Sequence, residues 1–207
     1  MTFVNQVAEI THSMVDRYGG ATNKNIGQAF LMVWKFPNPQ QLVEMARNDD
    51  FKMVSRENSR VADSSVYTVI KIISKINRFE HIVKYNGYPA ISKMIGQEFK
   101  VRMGFGLHHG WAIEGAIGSQ FKIDASYLSP NVNMASRLEY ATKQFGTEIL
   151  ISGAMYDILS RKFKGICREI DRVTVKGSNV PISLFTIDID IKGLDRTIDP
   201  LFKKSTQ

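Results

Sequence analysis

Cysteine is almost absent. Cys167 is the only one in 207 residues, so no internal disulfide can staple the fold. No apolar run approaches the roughly 20 residues that a helix needs to cross a bilayer, so no membrane span is expected. The first residues, MTFVNQVAEITHS, carry neither a basic n-region nor a cleavage-like cluster of small residues, and no signal peptide is expected. Zinc-ligand spacings, an RNP pattern and a helix-turn-helix pattern are also missing. The 27 Lys and Arg outnumber the 20 Asp and Glu, an excess that suits nucleic acid, a membrane surface or a nucleotide polyphosphate. Because the cations are scattered over most elements, nucleic acid is the weaker of these partners. Together these absences predict an intracellular, soluble chain on the cytoplasmic side.

A hydrophobic fraction of 43% against 23% charged residues is enough for one sizeable core, hence one domain. Val4, Val7, Ala8, Thr11, Val15 and Tyr18 keep helical spacing, and Gly19-Gly20 supplies a stop. From Ala21 to Phe36 the apolar residues alternate about Gly27-Gln28, which reads as a β-hairpin. After Pro37, residues 38–47 suit a short helix and residues 63–84 a long one. The long one carries Val66, Val69, Ile70, Ile73, Ile76 and Ile82 on one side and Lys71, Lys75, Arg78 and Lys84 on the others. It is either packed into the core with a solvated face or offered to a partner or anionic surface. Residues 47–62 lack a period and read as a loop. VRMGFGL, 101–107, reads as a buried strand running into His108 and His109, which as neighbours could be ligands or bases but point to opposite sides of an extended chain, so structural roles are expected. Beyond it, 148–152 reads as a strand, 154–162 as a helix, and 167–175 with 181–191 as a final antiparallel pair about Lys176-Gly177.

The most informative stretch is 122–139, KIDASYLSPNVNMASRLE. Met134, Leu138, Ala141 and Phe145 give one apolar helical stripe. Asn133 and Arg137, four apart, share a different face. Two donors near a helix N-terminus suit an anion. The alternative is a solvated face with an ordinary arginine.

VNMASRLE, preceded by GFGLHHGWAIEGAIGS at 104–119 and followed by ILIS, VKG at 175–177 and an upstream YGG segment with Lys24 and Ile26-Gly27, resembles the class III nucleotidyl cyclase catalytic domain, the adenylyl and guanylyl cyclase family. Five such motifs in the family's order make the resemblance specific, and it covers residues 3 to about 188. It implies an α+β, ferredoxin-like cyclase fold, a mostly antiparallel sheet with helices packed on it. It also implies a domain over 1–190 with 37–100 as a helical insert, as in some protist cyclases, and 191–207 as a C-terminal tail.

The resemblance also assigns residues. In two-domain enzymes of the family one half carries two metal-binding aspartates, and the other supplies a base-reading lysine, an asparagine, an arginine and a phosphate-binding lysine. By motif position these become Lys24 and Ser126 for the base, Asn133 and Arg137 for the transition state, and Lys176 for the triphosphate. Lysine at 24 in place of glutamate implies adenine, because it donates to a ring nitrogen and cannot accept from an amino group.

The two metal aspartates do not carry over. Gln28 stands at one position, and the family's F-x-D-I strand, the first central strand, is not found in the sequence; a neutral amide holds magnesium poorly. Asp188 sits in a loosely similar context, FTIDI, and reads as an edge-strand solvent residue. The expectation is therefore no metal bound by this chain alone, with Mg2+ or Mn2+ only if a partner supplies the aspartates. The partners implied are ATP and a second cyclase domain in a head-to-tail dimer, or a larger assembly in which this chain is a catalytically dead subunit.

Overall fold

A computed structural model describes residues 2–26, 29–48, 54–174 and 181–190. The first helix, α1 (Thr2–Arg17), ends where expected: Gly19 takes φ 74°, and the Gly20 amide donates to the Val15 carbonyl at 2.9 Å. It buries Ile10, Thr11, Met14 and Val15. The helix it packs on most is not followed by sequence alone, because it lies in the 37–100 segment.

That segment opens with α2 (Pro39–Asn48) and continues with α3 (Arg56–Ile76). The second helix starts seven residues earlier than its apolar stripe suggests, inside the stretch read as a loop. Ser55 explains the difference: in extended conformation, its hydroxyl accepts from the Asn58 amide at 3.2 Å and caps the helix. Asn58 is fully buried, and its side-chain amide donates to Asn38 O and Gln41 Oε1, fixing the entry to α2. Helix α3 then stops at Asn77, not at 84, and a separate turn, α4 (Glu80–Val83), follows. Val66, Val69, Ile72, Ile73 and Ile76 of α3 are all at most 3% exposed, so this helix is part of the core. Ser64 Oγ donates to Tyr18 O at 2.7 Å and ties α3 to the end of α1. A further helix, α5 (Pro89–Ile95), lies at the surface and buries none of its residues.

The strands are β1 (Ala21–Ile26), β2 (Ala29–Val33), β3 (Phe105–Leu107), β4 (Ile113–Ser119), β5 (Lys122–Leu128), β6 (Ile149–Ser152), β7 (Arg168–Val173) and β8 (Ile182–Thr186). Among the described residues they form three sheets: the hairpin β1-β2, the hairpin β4-β5, and a four-stranded sheet in the order β3-β6-β8-β7. Among the described strand pairs only β3-β6 is parallel. The architecture is α+β and mostly antiparallel, as expected. Among the described residues, β2 pairs only with β1 and β3 only with β6, so each presents one edge without a strand beside it.

Strand β6 is buried on both faces. Ile149 and Ile151 face the main core with α1 and α3, and Leu150 faces a smaller cluster with Leu138 and Leu184. That smaller cluster seats α6 (Pro130–Phe145), whose Met134, Ala141 and Phe145 pack against it as their spacing predicts. Two other expectations are shortened. Residues 101–104 are not strand. The helix expected at 154–162 is two, α7 (Gly153–Ile158) and α8 (Arg161–Lys164), because Leu159 turns extended and Ser160 caps a new start. The residues of the 191–207 tail lie outside those described.

Candidate functional site

Two hairpins meet where the base-reading residues were expected. Lys24 on β1 donates from Nζ to Ser126 Oγ on β5 at 2.7 Å, across 102 residues of sequence. The neighbouring Asn23 donates from Nδ2 to Ala125 O at 3.1 Å, so the contact is stitched by two adjacent side chains. A register irregularity between Thr22 and Lys24 marks the strand at this point. Farther along, Lys35 and Glu114 form an exposed ion pair at 2.6 Å, which Tyr127 joins by donating to Glu114 at 2.9 Å. Each partner favours the other's charged form: the Glu114 carboxyl is held below its ordinary range and the Lys35 ammonium above its own. In water such a pair adds little stability, so it orients the hairpins more than it holds them.

Beside Lys24 opens a cleft of about 600 Å³ between α1 and β1, lined by His12, Asp16 and residues 20–25. It is polar. His12 Nε2 and Asn23 Oδ1 are buried and make no hydrogen bond among the described residues. His12 is steadied by edge-to-face contact with Phe30 at 5.4 Å.

Asn133 and Arg137 stand on a separate element, both exposed on α6. The helix begins with Ser129 as N-cap, accepting from the Asn131 amide at 3.0 Å, and Pro130 in the first turn, where its fixed φ and missing N–H cost nothing. Its height above β3 is set by glycine. A Cβ at Gly106 would run into Ala135 O, Glu139 N and Leu138 Cβ of α6. The structure thus brings Lys24 and Ser126 together and presents Asn133 and Arg137 on the helix that follows β5. Lys176 and Gln28 lie outside the described residues.

Both histidines are engaged: His108 by hydrogen bonds, and His109 by an edge-to-face contact with Phe36 at 5.3 Å. His108 Nδ1 lies 2.7 Å from Ser152 Oγ, and its Nε2 lies 3.1 Å from Asn131 Oδ1. Since Asn131 Nδ2 donates to Trp111 O, its Oδ1 faces the imidazole as acceptor, so Nε2 carries the proton and Nδ1 accepts from Ser152. This chain joins the end of β3 to the starts of α6 and α7. Sequence reasoning missed Asn131 and Ser152, although both stand at helix starts where side-chain acceptors are favoured. Burial pushes both imidazoles down, His109 to about 4, with His108 beside it adding to the effect.

Among the described residues no three His, Cys, Asp or Glu side chains gather where they could hold a metal. Asp188, which follows β8, is engaged by a two-point pair with Arg168 at 2.7 and 2.8 Å.

Among known proteins, this chain is 36% identical over 89 residues to an adenylate cyclase of Anabaena cylindrica, covering 42% of this chain and 18% of that protein. The chain therefore spans less than a fifth of that relative's length. The structure resembles the adenylyl cyclase CyaB from P. aeruginosa with a TM-score of 0.63 at 19% identity, over 91% of this chain and 81% of that one. It also resembles the non-canonical dimeric guanylyl cyclase domain of the RhoGC fusion protein from the aquatic fungus Blastocladiella emersonii, with a TM-score of 0.57 at 18% identity, over 89% and 81% of the two chains. The model of the family described as the adenylate and guanylate cyclase catalytic domain matches residues 1–188. With nearly the whole described chain inside that match, this chain belongs to the adenylate and guanylate cyclase catalytic domain family.

Proposed function

We propose that this domain is the metal-poor half of an ATP-type cyclase dimer, making cyclic AMP only when a second cyclase domain supplies the carboxylates and metal. The observation that carries this reading is the Lys24–Ser126 contact. Lysine has three N–H donors, so it can keep Ser126 and still donate to a ring nitrogen of adenine, while the serine oxygen retains capacity to accept from the exocyclic amine. The cleft beside it is large enough for a small ligand. Asn133 and Arg137 would donate to charge developing on the transferring phosphate, and Lys176 to the triphosphate. That such domains pair is supported by the RhoGC domain, itself a non-canonical dimer.

Gln28, at the motif position where the family carries a metal-binding aspartate, favours a second reading, a catalytically dead cyclase-fold subunit that binds nucleotide or only a partner. One experiment separates the two. The purified chain is titrated with fluorescent ATP and GTP analogues, then mixed with a cyclase half that has both aspartates, and cyclic AMP is measured. ATP-selective binding with activity only in the mixture supports the first reading. Binding without activity in any mixture supports the second, and no nucleotide binding ends both nucleotide roles.

A further inference from the structure

An unbroken strand would send the neighbouring side chains of Asn23 and Lys24 to opposite faces. Both nevertheless end on adjacent residues of β5: Asn23 Nδ2 on Ala125 O at 3.1 Å and Lys24 Nζ on Ser126 Oγ at 2.7 Å. The register of the β1-β2 hairpin shows how. Thr22 lies opposite Met32 and Lys24 opposite Leu31, which are consecutive on β2, so Asn23 is an extra residue with no partner across the hairpin. A bulge of this kind bends its strand and re-aims the side chain beside it.

Asn23 is not itself placed to meet a ligand. Its amide donor is engaged by Ala125, and its Oδ1 is buried with no hydrogen bond among the described residues. A hydrogen bond that leaves its own side chain's acceptor buried and unpaired adds little net stability. What it fixes is position. The group that needs fixing stands next to it, because a lysine carries its ammonium on a flexible four-carbon stem and Lys24 is only half-buried. The Lys35–Glu114 pair between the same hairpins is exposed to water and orients them weakly.

We propose that Asn23 is a positioning residue for Lys24: the bulge it forms and its clasp on Ala125 seat the Lys24 ammonium on Ser126, and so sharpen the preference for adenine. The consequence for adenine rests on the base-reading role proposed for Lys24 and Ser126; the seating of Lys24 by Asn23 does not.

Two measurements on the whole 207-residue chain test it. Without nucleotide, the Lys24 ε-methylene signal is followed in protein carrying 13C-lysine, identified by its loss in Lys24→Met. Ser126→Ala gives the signal of a released Lys24. Asn23→Ala should move the Lys24 signal in the same direction, and Asn23→Asp, isosteric but without the donor, should move it too, with the other lysine signals in place. With nucleotide, Asn23→Ala should weaken binding of a fluorescent ATP analogue by about tenfold and change that of a GTP analogue little. In a Lys24→Met chain the same substitution should cost nothing more, since a residue that acts through the lysine has no effect once the lysine is gone. Circular dichroism checks that each variant folds, and the isosteric Asn23→Asp carries both comparisons if Asn23→Ala does not fold. A Lys24 signal unmoved by the Asn23 variants overturns the proposal. So do losses that add in the double variant, which would make Asn23 an ordinary part of the strand. Failure of the wild-type chain to bind the ATP analogue overturns the base reading and the adenine preference with it, while the Lys24 signal still decides whether Asn23 seats the lysine.

Discussion

Lys24 Nζ and Ser126 Oγ sit 2.7 Å apart, and with the neighbouring Asn23–Ala125 bond they join the β1-β2 hairpin to the β4-β5 hairpin. Ser126 is 9% exposed, so the lysine has drawn a hydroxyl that solvent scarcely reaches.

Replacing Lys24 tests whether this contact reads a base. Lys24→Glu puts an acceptor where adenine's ring nitrogen requires a donor, so affinity for a fluorescent ATP analogue should fall at least tenfold. Lys24→Met keeps the length without the charge and should fall between. Equal binding by all three proteins, measured by anisotropy, would remove Lys24 from the nucleotide site.

For Arg137 the prediction is kinetic. In a pair reconstituted with a metal-competent half, Arg137→Ala should lower kcat by ~100-fold, about 3 kcal/mol, and change KM little, because a guanidinium aimed at developing charge stabilises the transition state selectively. A loss in KM alone would make it a binding residue.

The histidines predict a dependence of stability on pH. Burial places the His109 pKa at about 4, below its ordinary 6.5, and lowers that of His108. Between those values the unfolded chain binds more protons than the folded one, so the stabilisation present above pH 6.5 is lost as pH falls toward 4. For His109 the loss is up to about 3 kcal/mol. Urea unfolding compared at neutral pH and near pH 5.5 should show it, and His109→Phe should flatten the difference. At lower pH the burial-raised carboxyls of Asp63 and Glu148 oppose the trend, which is why the comparison stops there.

Gly106→Ala probes the seat of α6. The added methyl has the helix backbone in its way, so the protein should lose about 1–3 kcal/mol by urea unfolding. In a reconstituted pair Gly106→Ala should also lose activity beyond what instability explains, since Arg137 rides on the helix that is displaced.

Elements whose apolar period matches their burial were legible: α1, the β1-β2 hairpin and the stripe of α6 fall where spacing puts them. Those set by a single polar residue were not. Ser55 starts α3 early and Ser160 divides α7 from α8, and neither leaves a mark on hydrophobic periodicity. The β4-β5 hairpin, most of it exposed, likewise carries almost no inside–outside alternation to read. At the site, the pairing of Lys24 with Ser126 was implied by motif position, not by spacing. The relay of His108, Ser152 and Asn131 required three segments to converge, which no local pattern records.

The 102 residues between Lys24 and Ser126 also bear on the order in which the chain folds. Each hairpin pairs residues close in sequence, whereas β1 and β5 meet across the intervening helices, of which α3 packs against α1. The thermodynamic cost of so long an excursion grows only with the logarithm of its length, whereas the rate feels the separation directly. The Lys24–Ser126 contact should therefore close late in folding and open early in native-state hydrogen exchange, ahead of β6. A nucleotide that bridges it would slow the exchange of both hairpins together, a signature readable without any turnover.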